Sequence, residues 1–187
     1  MAQYGLASYW DERYTRDSDF FDWYQKWEDL RCHISPFLEK PHKILNLGCG
    51  LSRMSESLFE DGYQNQTNID ISKAAIEKMS KHYKEKPSME FRVMNALDMS
   101  AFPSETFDTV IDKGTMDAIL CGESSTTNVA QLLKEVNRVL NRNGRYICIT
   151  YGQPSFRLPY FERAELEWDV QHLSVPKPAL KTTGKDK

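Results

Sequence analysis

Leu45 to Ser52 (LNLGCGLS) carries the strongest chemical signal in the chain, a short apolar run that ends in Gly48-Cys49-Gly50. A strand ending in Gly-x-Gly at a helix start lets main chain approach a ligand where a side chain would collide. Alone, the pattern occurs at many tight turns. Its context adds Asp70, which closes the next apolar run, TNID. A carboxylate there can accept both ribose hydroxyls of an adenosyl group. The same residue also reads as a turn residue, or as the cap of a helix that begins near Ser72.

The third glycine of a dinucleotide fingerprint, which permits pyrophosphate approach, is replaced by Arg53. No second domain follows to hold a hydride acceptor, so NAD is disfavoured. S-adenosylmethionine has no pyrophosphate and tolerates a bulky residue at that place. Asn95-Ala96 ends a third apolar run. There Asn95 either accepts a hydrogen bond from the adenine amino group while Ala96 offers its N–H, or merely opens a turn.

The elements that position these residues follow from alternating rhythms. Lys43–Leu47, Thr67–Ile71, Met89–Met94, Phe107–Asp112 and Arg145–Thr150 read as strands. Helices are expected from about Ser52 to Asp61 (ending at Gly62), over Lys73–Lys84, and over Thr127–Leu140. Asn143-Gly144 should turn the chain into the fifth strand. This alternation predicts a doubly wound, mostly parallel α/β sheet with right-handed crossovers. Ahead of it, apolar residues at intervals of three and four predict a helix from Ser18 to Leu38. Ser18 or Asp19 would cap it and Pro36 would disturb its end. After Gly152, Pro154–Arg163 suggests an irregular helix and Leu166–Val175 a sixth strand. The expected organisation is an aromatic-rich segment at 1–42, a core domain at 43–176 and a disordered tail at 177–187.

A length of 187 residues favours one domain. Charged residues make up 27% and hydrophobic ones 40%, a balance that argues against disorder. The net charge of −3 gives no reason to expect a nucleic-acid partner. Cys32, Cys49, Cys121 and Cys148 form no CxxC pair and have no His at ligand spacing, so they read as reduced thiols and no metal is expected. The N-terminus lacks a secretory pattern and no stretch approaches membrane-spanning length, so the expectation is a cytoplasmic monomer.

Asp112 to Asp117 (DKGTMD), after the fourth strand, is unusual. Taken with YWDERY (9–14), FDWY (21–24), the NLGCG loop, ITYG (149–152) and FRLPYF (156–161), it resembles one family. These are the class I methyltransferases that act on lysines of eukaryotic translation elongation factor 1A, with a relative acting on citrate synthase. The resemblance runs from Tyr9 to about Val175. It implies a Rossmann-like fold, S-adenosylmethionine as cofactor with S-adenosylhomocysteine as product, and a protein substrate similar to elongation factor 1A. It also implies that Trp10, Tyr14 and Trp23 fold over the sulfonium as an aromatic lid, since aromatic faces attract cations. Packing the N-terminal segment on the sheet is the alternative for all three, and is preferred for Trp27. Gly48, Asp70, Ile71, Asn95 and Ala96 fall on the family's loop, ribose and adenine positions, and Lys113 on a lysine at the cofactor's edge that faces its carboxylate.

In this architecture the ends of the fourth and fifth strands face the transferred methyl group, which makes Asp112, Asp117 and Tyr151 candidates for orienting the substrate. Each has a plainer reading: pairing with Lys113, capping a helix, or edge packing. Two departures stand out. Asn95 replaces the family's usual Asp, with Asp98 nearby as a substitute. Nothing after Val175 is apolar enough for the closing antiparallel strand, which leaves either a six-strand sheet or a shortened form. A small-molecule methyltransferase and a non-catalytic cofactor-binding protein are the alternative functions.

Overall fold

A computed structural model describes residues 3–17 and 19–177. The expected disordered tail therefore lies, apart from Lys177, outside the described residues. Five strands, β1 (Ile44–Leu47), β2 (Gln66–Asp70), β3 (Met89–Val93), β4 (Phe107–Lys113) and β5 (Leu140–Ile149), form one sheet in the order β3-β2-β1-β4-β5. All four pairings are parallel. The chain reverses its direction of winding between β3 and β4, so the ends of β1 and β4 open on the crevice where such sheets bind ligands.

Both faces of the sheet are covered, which is why β1 reads as an unbroken buried run. Leu45, Leu47, Ile69 and Val110 pack against α6 (Ser125–Val139) through Val129, Leu132, Leu133, Val136 and Val139. On the other face, Ile44 and Ile111 meet α2 (Trp27–Ile34) and α3 (Met54–Glu60) through Trp27, Leu30, Ile34 and Leu58. Trp27 is thus a core residue, as its plainer reading predicts, and its indole N–H donates to Asp61 at 2.6 Å. Helix α4 (Lys73–His82) follows β2 with Ser72 as its cap, the hydroxyl accepting from the Ala75 N–H at 3.2 Å.

Three expectations are corrected. The single helix over 18–38 is only α2, closed by a 3-10 turn at Ser35–Phe37 where Pro36 sits; a separate helix, α1 (Ala7–Arg16), precedes it. Asp19 caps neither, and Ser18 lies outside the described residues. Between them the chain is irregular because its side chains are claimed by the loop after β1 and by the segment after β4. Asp22 bonds Ser52, Tyr24 bonds Asp117, and Tyr24 takes a φ of 68° that no helix permits.

The Asn143-Gly144 turn becomes an irregularity inside β5, where the register jumps from Phe107–Leu140 to Thr109–Arg145. The sixth strand is absent among the described residues. Glu167 takes a φ of 54° at the start of that run, and Trp168 turns onto Tyr146 at 5.7 Å while donating to Asn137 of α6 at 2.8 Å. Those bonds hold the segment against α6 instead of beside β5. Two short helices complete the chain: α5 (Thr115–Leu120), which the sequence pattern does not announce, and α7 (Pro154–Phe161), the expected irregular helix.

Candidate active site

The loop after β1 holds Gly48 at φ 58° and Gly50 at φ 49°, the left-handed region that favours glycine. A Cβ on Gly48 would strike the Thr115 hydroxyl, and one on Gly50 the Tyr14 hydroxyl, so the loop is packed to the limit of bare backbone. Asp70 turns back to this loop. Its Oδ2 accepts from the Gly50 N–H and its Oδ1 from the Ser72 N–H, both at 2.8 Å. It is not the cap of α4, a task that Ser72 performs. Burial pushes its carboxyl up to about 6, against the pull of those N–H groups.

Ile71 is 40% exposed at the rim. Asn95 is exposed and its Oδ1 accepts from the Leu97 N–H at 2.9 Å, the turn geometry of its plainer reading, while Ala96 is buried in the core.

Over the loop lies the N-terminal segment. Helix α1 is pinned to α4 by Asp11, whose Oδ1 accepts from the Ser72 hydroxyl at 2.8 Å and the Ala74 N–H at 3.0 Å. That backbone bond, the larger influence, holds the Asp11 carboxyl below its usual range. Trp10 and Tyr14 stack at 5.7 Å, and Trp23 stands edge-on to Trp10 at 6.3 Å. The Arg13 guanidinium lies 5.1 Å from the Trp23 ring centroid, and the Trp10 N–H donates to the Tyr4 carbonyl at 2.7 Å.

These rings close down on a cavity of about 30 Å³ lined by Tyr14, Trp23, Asn46, Gly48, Cys49 and Lys113 among others. That is far below the roughly 300 Å³ or more of a small-molecule pocket. The Asn46 Oδ1 in its wall is buried without a hydrogen-bond partner. The bare loop and this orphan acceptor suit an adenosyl cofactor, whose entry requires Tyr14 and Trp23 to lift.

Lys113 is almost fully buried. Its Nζ lies 3.2 Å from Asp22, itself 8% exposed, and donates to the Trp23 carbonyl at 2.9 Å. Burial lowers the Lys113 pKa and the Asp22 charge opposes that fall. Lys113 thus ties the aromatic segment to the end of β4 and does not stand free at the cavity edge.

The proposed substrate-orienting acids are both fully engaged. Asp112 accepts from the Thr115 N–H at 2.8 Å, the Met116 N–H at 3.1 Å and the Tyr146 hydroxyl at 2.8 Å; burial pushes its carboxyl up to about 6. It does not pair with Lys113.

Asp117 accepts from the Tyr24 hydroxyl at 2.7 Å, the Thr150 hydroxyl at 2.6 Å, the Tyr151 N–H at 3.0 Å and Arg157 at 2.9 Å. Burial works to raise its pKa, but the hydrogen bonds and the Arg157 charge prevail and hold it low. Tyr151 is 57% exposed and stacks on Tyr24 at 4.2 Å.

The structure therefore gathers Trp10, Tyr14, Trp23, Gly48, Gly50, Asp70 and Lys113 into one site, and Asp117 with Tyr151 into an adjoining wall. Sequence reasoning missed Asp11, Asp22, Tyr24 and Arg157. The first three stand inside the YWDERY and FDWY motifs that it singled out for their tryptophans, so polar groups among the aromatics were the available signal.

A reversing parallel sheet with a bare glycine loop after β1, an acid at the end of β2 and no pyrophosphate-approach glycine defines a class I, S-adenosylmethionine-dependent methyltransferase. Residues 45–148 match the family model described as a methyltransferase domain, and the chain belongs to that family. It is 37% identical to EEF1A lysine methyltransferase 4 of Mus musculus over 182 residues, covering 91% of this chain and 70% of that protein. It is 38% identical to the eEF1A lysine and N-terminal methyltransferase of the same species over 155 residues, but spans only 22% of that larger protein. Among solved structures, a protein of Pyrococcus horikoshii OT3 superposes with a TM-score of 0.59 at 31% identity, covering 73% of this chain and 64% of that one. A SAM-dependent methyltransferase of Methanosarcina mazei gives 0.57 at 26% identity, covering 76% and 65%.

Proposed function

We propose that this chain methylates a lysine side chain of a protein, with elongation factor 1A or a close relative of it as the acceptor. The observation that carries this reading is the 37% identity, across nine-tenths of the chain, to a protein named for lysine methylation of that factor. S-adenosylmethionine, when bound, supplies a methyl group on a positively charged sulfur.

The chain's own residues do the rest. Asp70, ionised above about pH 6, accepts from the ribose hydroxyls. The bare glycine loop lets main chain approach the ligand where a side chain would collide. Trp10, Tyr14 and Trp23 present π faces that favour a cation and exclude water. The segment ahead of α2, residues 3–17 and 19–26, in this reading serves as a cover that opens for the cofactor and closes on it. Lys113 and Asp22 hold that cover to β4.

On the acceptor side, an in-line displacement needs the amine neutral and aligned, with nitrogen roughly 3 Å from the methyl carbon. Aromatic walls that strip water from an ammonium lower its pKa and ease loss of the proton. Tyr24 and Tyr151 supply such a wall, and Asp117, being saturated, positions it without taking the proton itself.

Four unpaired thiols support a reducing, cytoplasmic setting, and the net charge of −3 supports a protein in place of a polyanionic partner. Incubation with labelled S-adenosylmethionine and elongation factor 1A tests the function. Label on a lysine of the factor is expected; label confined to a small metabolite contradicts it.

A further inference from the structure

Gln25 is a buried amide, 7% exposed, and its side-chain N–H donates to the Pro176 carbonyl at 2.6 Å. The next residue, Lys177, sets its ammonium 5.2 Å from the Tyr151 ring centroid. Tyr151 stacks in turn on Tyr24 at 4.2 Å. The Tyr24 ring lies 3.2 Å from where a Cβ on Gly114 would stand, beside the Lys113 that lines the cofactor cavity. A buried donor thus reads one backbone carbonyl, and an aromatic face receives the ammonium of the lysine that follows. The aromatic wall continues from that lysine to the residue next to the cavity.

Burying the Gln25 amide costs free energy unless a partner meets it, and the partner it meets is main chain, which any peptide offers. Attraction of a cation to Tyr151 favours a positively charged residue at the next position, which here is lysine.

We propose that Gln25, Tyr24 and Tyr151 form the seat for the acceptor lysine and its preceding carbonyl, and that Ser174–Lys177 lies in this seat as a tethered stand-in for the substrate peptide. The assignment rests on the protein-lysine reading given above. A segment tethered by a short linker is present at an effective concentration on the order of millimolar, so weak contacts suffice to compete with a protein acceptor. The segment is then a brake that a better-fitting substrate displaces.

Two measurements on the full chain test this. In the first, a labelled peptide with the sequence Leu-Ser-Val-Pro-Lys is titrated into the unaltered chain and into Lys177→Ala. The peptide should bind the variant at least fivefold more tightly, because its seat is open. Equal affinity for both, or no binding to either, overturns the proposal. In the second, steady-state transfer to elongation factor 1A should show KM for the protein falling several-fold in Lys177→Ala, with kcat and the affinity for S-adenosylmethionine unchanged. Adding Tyr151→Ala should abolish that difference, because the lysine's perch is gone. An unchanged KM in Lys177→Ala overturns the competitive role. Should neither chain label any protein while both bind cofactor, the proposed function fails and the acceptor assignment with it; the peptide titration still reports separately whether the segment has a seat.

Discussion

The loop proposed to hold the cofactor is shaped by glycine backbone and one nearby carboxylate, whereas the wall proposed for the acceptor is held by side chains drawn from distant parts of the sequence. Gly48, Gly50 and the Asp70 carboxylate come from two consecutive strand ends, and the bond between them spans one crossover. The wall at Tyr24 and Tyr151 depends on Asp117, whose donors come from the N-terminal segment, the end of β5 and α7. A site held by backbone geometry tolerates change in what surrounds it. One held by converging side chains fails when its central acceptor is removed.

That contrast can be broken most sharply at Asp117. Its replacement by Ala strands the Arg157 charge and three further donors, at a cost of roughly 3 kcal/mol in stability. Urea denaturation should show that loss, and transfer to protein should collapse while the folded fraction still binds S-adenosylhomocysteine within about twofold. A matching loss of cofactor affinity would show that the two halves are one unit.

Asp22→Ala comes next. It leaves Lys113 buried without its counter-charge, and frees the segment that carries Trp23. The expected penalty is roughly 2 kcal/mol in stability, with faster quenching of the Trp fluorescence by added iodide. Unaltered quenching would mean that the cover is held elsewhere.

Trp10→Ala should weaken S-adenosylmethionine binding by about 1 kcal/mol, the scale of one cation–π face, with the fold intact. An equal effect on uncharged S-adenosylhomocysteine would show that area and not the sulfonium is what Trp10 recognises.

The smallest effect concerns pH. Asp70 and Asp112 titrate near 6 in the folded chain, above the unfolded carboxylate value of about 3.9. Between those values the folded state binds more protons, so these two acids make stability fall as pH rises through that window. Asp112→Asn removes one share, and the change in its unfolding free energy in urea between pH 5.5 and 7 should differ from that of the unaltered chain by under about 1 kcal/mol. Identical pH profiles would place the raised titration elsewhere.

How far each half could be read from the sequence follows the same division. The five strands and the positions of Gly48, Gly50 and Asp70 were legible because local patterns dictate them: an apolar run, a glycine pair, an acid at the next strand end. Residues 18–38 show where local pattern loses. The three-and-four spacing of Phe20, Tyr24 and Trp27 suggests one helix, but bonds from Asp22 to Ser52 and from Tyr24 to Asp117 outweigh it. The apolar run at 166–175 fails as a strand for a similar reason, since Trp168 finds Asn137 and Tyr146 across the fold. Hydrogen-bond partners 30 to 93 residues apart leave no periodic trace. For the same reason Asp117 could be singled out from its motif, yet its role as an acceptor for four separate groups could not.

The central claim is that the loop at Gly48–Gly50 and the Asp70 carboxylate together hold an adenosyl ligand beneath the aromatic cover. Calorimetric titration of S-adenosylhomocysteine into the unaltered chain and into Asp70→Ala tests it directly. Affinity in the variant should be lower by about 1–3 kcal/mol, roughly fivefold to 150-fold, with the fold retained. Equal affinity in the two proteins would contradict it.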